Sequence, residues 1–520
     1  MRLNTKYFAA ALAWAAIAAQ GSAQVPAQPA VFNVRTYGAA GDGRTLDTAA
    51  INGAIAAAAA AGGGTVVFPP GSYLSASIHL QSNITLYIEA AATILAVDDT
   101  VARYDDPEPN PWTAFQDYGH SHWHNSLIWG ESLHDVSILG PGLIHGRGLN
   151  NGHNYGVYKD GGRGTGNKSI ALKNCRNVIL RDFSILHGGH FGILATGVDN
   201  LTIDDVKIDT NRDGMDIDCC ENVRVSNCSV NSPWDDGICL KASYALGRAK
   251  PCQNITITNC FVSGNFDEGS LLDATFRRSL PSYKSFRTGR IKLGTESNGD
   301  FKNIAISNCV FDDCRGIAIE SVDDSVIEDV AISNITMRHV ANSPIFIRLG
   351  NRARGPGHPP VGAIRRVSID NIVASDASGD LGCIISGIPG HPVEDIRISN
   401  VRIVQQGGGS AGLAGIVPPE EEKSYPEPGM FGTMPSYGFF IRHARAVELS
   451  HVKLDFASPE ARPAFVLDDV QDVTLDHINA RKGDGGAPLF EFRKVADFSV
   501  TDSRNCPDTR TPSLVDSGKL

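Results

Sequence analysis

Residues 210–241 read TNRDGMDIDCCENVRVSNCSVNSPWDDGICLK and hold three carboxylates whose spacing could do chemistry. Aligning Gly214 with Gly237 puts Asp213 beside Asp236 and Asp218 beside Lys241, an offset of 23 residues. Asp235 adjoins the pair, so three acids share one corner. A single Asp-Gly is ordinarily a corner residue that bonds turn amides. Three stacked acids raise one another's pKa, which costs stability and is typical of working sites. Paired carboxylates suit hydrolysis of a glycosidic bond: one protonates the leaving oxygen and another activates water.

That offset needs an element that repeats with the same period. One nine-residue phrase does so, as NVILRDFSI from Asn177, NLTIDDVKI from Asn200, NVRVSNCSV from Asn222, NITITNCFV from Asn254, NIAISNCVF from Asn303 and DVAISNITM from Asp329. Looser copies begin at Arg366, Asp395, Ala446, Asp472 and Asp497. The tight spacings are 22–26 residues and the wider ones hold insertions. Each phrase alternates with period two and is rich in Val, Ile and Thr, so each predicts a strand. No helical pattern follows any copy. Such units predict an all-β chain, one parallel β-helix whose coils stack roughly 4.8 Å apart. Asn at the corners tolerates left-handed backbone and can ladder with the Asn above. Leucine-rich repeats share the period but demand Leu at fixed places and a helical arc, which are missing.

The ends and insertions differ. Residues 1–23 have a basic start, an apolar run too short to span a bilayer and small residues for cleavage, so they predict a secretory signal peptide. Residues 24–75 form an N-terminal cap region, in which DTAAINGAIAAAAAA from Asp47 predicts a helix stopped by Gly62–Gly64. Residues 76–520 form the β-helix domain, with loop insertions near 265–288 and 407–437. The 520 residues carry 46 Lys and Arg against 57 Asp and Glu, a formal charge of −11, which argues against a nucleic-acid partner. No membrane partner is expected, and the chain is expected to be monomeric and to need no cofactor. Eleven Cys is odd, so at least one is unpaired. Cys228, Cys260 and Cys309 recur at one place in the repeat, as small hydrophobes filling a core do.

NRDGMD from Asn211 and WDDGICLK from Trp234, with the repeat and the segments FNVRTYGAAGDGRTLDTAAIN and GGGTVVFPPGSYL, resemble glycoside hydrolase family 28, the polygalacturonase and rhamnogalacturonase family. The resemblance implies a right-handed parallel β-helix and inversion at the anomeric carbon. It implies Asp235 as general acid, and Asp213 and Asp236 as the pair that holds and activates water. Asn211, Arg212 and Asp213 stand where the family has Asn-Thr-Asp, with Arg replacing Thr. Two motifs depart. Where family members have Gly-His-Gly, the segment TGRIKLGTE places Gly289 at the His position. Where they have the Arg-Ile-Lys clamp for a substrate carboxylate, RGIAIES places Ala318 and Glu320. Arg290-Ile291-Lys292 spells the clamp one coil early, as a decoy or as a replacement.

The substrate-binding candidates are Asn211, Lys241, Arg290, Lys292 and His190, beside the catalytic candidates Asp235, Asp236 and Asp213. HSHWH from His120 fits no standard metal spacing. Trp234 suits either a sugar face or the core. Arg348, Arg352 and Arg354 suit either an anionic sugar or solvent. The expected function is hydrolysis of a pectic polysaccharide or oligosaccharide. A pectate-lyase-like activity and a non-catalytic glycan-binding solenoid are the competing expectations. Loss of both motifs favours rhamnogalacturonan or another branched glycan at least as well as homogalacturonan. The two insertions favour a closed, exo-acting pocket.

Overall fold

The structure, a computed structural model, describes residues 30–117, 119–150, 162–264, 266–278 and 288–520. The expected signal peptide, residues 1–23, lies outside the described residues, as does part of the insertion near 265–288. The chain is a right-handed parallel β-helix in which, among the described residues, 36 strands join one continuous ladder. Every nine-residue phrase begins at a left-handed corner. Asn177, Asn200, Asn222, Asn254 and Asn303 have φ between 54° and 59°. A second left-handed corner comes five residues later, at Asn227, Asn259, Asn308 and Asn334. The short amide side chains make this conformation accessible and bond to one another between coils. Asn254 donates to Asn222 at 3.2 Å and Asn303 to Asn254 at 2.8 Å. Val, Ile and Leu between the corners point inward and form one core along the axis.

Both ends of the solenoid are covered. The helix α1, Thr48–Ala60, lays Ile51, Ala54, Ile55 and Ala58 on the first coil. At the other end Thr509–Thr511 and Val515–Lys519 run antiparallel against the last full strand, Phe490–Thr501. All eleven cysteines are free, and ten are buried. Cys228, Cys260 and Cys309 fill the same corner of successive coils, since Ser229 pairs with Phe261 and Phe261 with Val310.

One face of the helix carries the site. Its strands are β1 (Phe191–Thr196), β2 (Asp213–Asp218), β3 (Ile238–Ala242), β4 (Ile291–Ser297), β5 (Ile317–Ser321), β6 (Ile345–Leu349) and β7 (Cys383–Ser386). A single outward row runs down this face: Asp216, Cys239, Lys292, Ala318, Phe346, Ile384, Phe440, Val466. The row is mostly polar from Asp216 to Lys292 and wholly apolar from Ala318 to Val466, before Glu491. Residues 407–437 lie over the apolar half. Their Phe431 and Met434 are buried in one cluster with Ala318, Phe346, Ile384, Phe440 and Val466. Arg348 and Arg442 also lie over the Phe431 ring, at 5.2 Å and 5.5 Å. The groove is therefore filled on one side of the three acids.

Candidate active site

Asp213 opens β2, and Asp235 and Asp236 precede β3. The register pairs Asp216 with Cys239 and Asp218 with Lys241, which continues back to Asp213 beside Asp236. Gly214 N–H donates to the Asp236 carbonyl at 3.0 Å. This approach depends on glycine: a Cβ on Gly214 would lie 2.4 Å from the Gly237 carbonyl oxygen. One oxygen each of Asp213, Asp235 and Asp236 come within 4.8 Å of one another. The same spacing would suit a divalent cation, but three basic side chains already supply the positive charge. Arg212 donates to Asp235 at 2.5 Å, while Arg290 Nε and Lys292 Nζ each lie 2.9 Å from Asp236.

The three acids are in unequal surroundings. Burial would raise the pKa of Asp236, but Lys292 and Arg290 outweigh it and hold the carboxyl well below the usual range. Burial and the neighbouring Asp216 and Asp235 push Asp213 well above that range. Its nearest basic group is His190, at 3.9 Å. That ring is fully buried, and burial together with Arg212 pushes its pKa well below the ordinary histidine value. Asp235 is the most accessible of the trio, its side chain 25% exposed.

A cavity of about 500 Å³ opens onto this corner, lined by Asp117, His120, His190, Arg212, Asp213, Asp235, Lys241 and Tyr425. His120 Nε2 is 2.8 Å from Asp216 Oδ2, and Nδ1 is 3.0 Å from the Asp117 carbonyl oxygen. Both contacts are with oxygens able to accept, so a protonated ring would satisfy both nitrogens at once. Burial and Lys241 oppose that charge, while Glu296 and Asp216 sustain it and keep the pKa above the ordinary value. Lys241 sits 3.0 Å from Glu296 and 3.6 Å from Asp216.

The expected binding residues divide. His190 and Lys241 line the cavity, Lys241 within its ion pairs. Asn211 lies on the turn before β2, its carbonyl accepting from Trp234 N–H at 2.9 Å. Arg290 and Lys292 are buried behind Asp236 rather than offered to the cavity. Besides Asp236, Arg290 bonds Glu427, and Lys292 lies 3.7 Å from Glu320 and 3.3 Å from the Tyr425 hydroxyl. The reason is the insertion, which brings Tyr425 and Glu427 to these cations. Arg354 bonds Asp117 and Glu296, Arg352 bonds Asp323, and Arg348 donates to backbone and Ser386. The histidines of HSHWH diverge: His120 turns to Asp216, His122 to the Glu108 carbonyl and His124 to Glu131.

Glu296, Tyr425, Glu427 and the place of His120 on the cavity wall are not evident from sequence spacing. Glu296 ends the TGRIKLGTE segment and could have been found as the acid that Lys241 needs. Gly289, where the resemblance would place a histidine, has φ +63°, and a Cβ there would lie 2.1 Å from the Ser263 carbonyl oxygen. Packing thus excludes any side chain at that corner.

Residues 31–102 match the family model described as rhamnogalacturonase A/epimerase, pectate lyase-like. Residues 149–280 match the model of a right handed beta helix region. A probable polygalacturonase of Vitis vinifera is 25% identical over 393 residues, 71% of this chain and 73% of its own. An exo-poly-alpha-D-galacturonosidase of Dickeya chrysanthemi is 27% identical over 264 residues, 41% of this chain and 42% of its own. The family 28 exopolygalacturonase of Yersinia enterocolitica shares the fold with a TM-score of 0.61 at 18% identity, over 86% of this chain and 78% of that one. The chain is a right-handed parallel β-helix protein that is similar in sequence to curated polygalacturonases.

Proposed function

We propose that the protein is an exported glycoside hydrolase that shortens pectic glycans from their ends through Asp213, Asp235 and Asp236. The observation that carries this reading is the trio of carboxylates gathered within 4.8 Å at a cavity of about 500 Å³. The polygalacturonase relatives support the substrate class, and the filled half of the groove supports end-on action.

The proton cycle closes on these residues. In the free enzyme burial beside Asp216 and Asp235 favours a proton on Asp213, and Lys292 and Arg290 favour the anion of Asp236. When a glycosidic oxygen enters, the Asp213 proton passes to Asp235, the more accessible acid, and Asp235 gives it to the leaving oxygen. Asp213 and Asp236 then hold the attacking water as a pair of anions. The water's proton returns to Asp213 as its oxygen bonds to the anomeric carbon. Inversion is the outcome the resemblance implies. The anomer first formed, read by proton NMR, decides it.

The test is incubation with homogalacturonan, rhamnogalacturonan and their oligomers, wild type against Asp235→Asn. Wild type should release short products from the first minutes, and the variant should be slower by on the order of 10²–10⁴-fold. If no polymer or oligomer is cut, the pectic reading falls. Unsaturated, ultraviolet-absorbing products abolished by a chelator would establish a lyase instead, and long oligomers early in digestion would rule out end-on action.

A further inference from the structure

We infer that Tyr425 is a substrate-binding residue of this site, its ring the platform on which a pyranose lies, C–H face down, while the three acids act on the glycosidic bond. The inference rests on the hydrolase reading above, and it names the side chain that holds the sugar ring and the kind of ring it takes.

The cavity wall offers one place for the apolar face of a sugar. Of its eight lining residues, all but Tyr425 are acids, bases or histidines. Both histidine rings are already packed: His190 stacks on Phe191 at 4.3 Å, and His120 meets it edge-on at 4.9 Å. Tyr425 is 46% exposed within this cavity. Its hydroxyl end is fixed, 3.3 Å from Lys292 Nζ and 3.3 Å from Thr295 Oγ1. Lys292 Nζ is 5.5 Å from the ring centre, so the ammonium lies off the hydroxyl end rather than over the ring. Burial of that end pushes the hydroxyl well above the ordinary tyrosine value, which keeps the ring neutral.

Protein contacts alone set the ring in place. Glu427, two residues on, bonds Arg290 and Arg315, and Phe431 and Met434 anchor the same insertion in the apolar cluster. An open aromatic face in an otherwise polar wall matches a pyranose, which carries hydroxyls around its rim and C–H groups on its faces. Galacto-configured sugars suit it best. Their axial hydroxyl at C4 stands on one face and leaves the hydrogens of C3, C4 and C5 together on the other. The substituent at C5 is equatorial whether it is a carboxyl or a hydroxymethyl group, so this wall reads the shape of the ring and not its charge.

Calorimetry and proton NMR on the Asp235→Asn protein test this with two probes, a galacturonate trimer and a rhamnogalacturonan oligosaccharide. A probe that binds should have sugar C–H protons shifted upfield by the ring current. Adding Tyr425→Ala should weaken binding at least about tenfold and abolish that shift. Tyr425→Phe, which keeps the ring and removes the hydroxyl contacts, should bind within about threefold of the parent and retain it. Limited proteolysis of residues 407–437 checks that the insertion stays docked. If Tyr425→Ala frees it, the shift in the parent and in Tyr425→Phe decides, and its absence overturns the inference. Binding of neither probe to the parent, unchanged affinity in a docked Tyr425→Ala protein, or a loss in Tyr425→Phe as large as in Tyr425→Ala also overturns it. Failure of wild type to cleave any glycan overturns the hydrolase reading separately, because affinity and ring-current shift are read without turnover.

Discussion

Lys292 Nζ lies 2.9 Å from Asp236 Oδ2, one coil further along, and both side chains are almost wholly buried. Arg290 approaches the same carboxyl. The proposed base is therefore anionic before any substrate arrives.

Lys292→Met should leave Asp236 with Arg290 alone. Removing one partner of a buried pair costs about 3–5 kcal/mol. Asp236 has a depressed folded pKa, so its stabilisation is present above the ordinary carboxylate value of about 3.9 and fades as pH falls through the folded value. The melting-temperature gap between wild type and variant should be widest above about pH 4 and shrink in stronger acid. A gap that stays constant down to about pH 2 would contradict the pairing.

Asp213 has the opposite sign. Its folded pKa is raised, so the native state binds the extra proton and stability declines as pH rises from about 3.9 towards the folded value. Asp213→Asn should melt higher than wild type at neutral pH and match it in acid, while turnover falls by on the order of 10²–10⁴-fold. A variant less stable than wild type at neutral pH would show that Asp213 holds the corner together rather than straining it.

Gly289→His should lower stability. The residue would adopt φ +63° with its Cβ 2.1 Å from the Ser263 carbonyl oxygen. Left-handed strain alone costs about 1–3 kcal/mol, and the backbone clash adds to it. Denaturant unfolding measures the loss, and a variant as stable as wild type would mean that the corner can move.

Phe431→Ala should loosen residues 407–437 from the groove. Deleting a buried Phe costs about 3–5 kcal/mol, here spent locally on docking rather than on the solenoid. Longer products should appear early in digestion while the main unfolding transition moves little. An unchanged product pattern would mean that the insertion does not set the mode of action.

Much of this was legible in the chain. The 23-residue offset between Asp213 and Asp236 is one coil, and the Asn at the head of each phrase is the left-handed corner that makes the phrase recur. Both are local signals. The pairing of Glu427 with Arg290 is not local: 137 positions separate them, and nothing in SYPEP says which cation it meets. The same distance hid why Arg290-Ile291-Lys292 is not an open clamp. The apolar run Ala318, Phe346, Ile384, Phe440, Val466 is visible only once the register aligns five strands. His120 was noticed as part of a histidine cluster, but its partner Asp216 lies 96 positions away.

The two antiparallel segments at the C-terminus turn the final coil from a growing surface into a finished one. A parallel β-helix ends in a row of backbone groups ready to accept another coil, from its own chain or from a neighbour. Thr509–Thr511 and Val515–Lys519 occupy the Phe490–Thr501 edge in the reverse direction, a geometry that the parallel stack cannot extend. Their backbone groups cover an edge that truncation before residue 509 would leave unpaired.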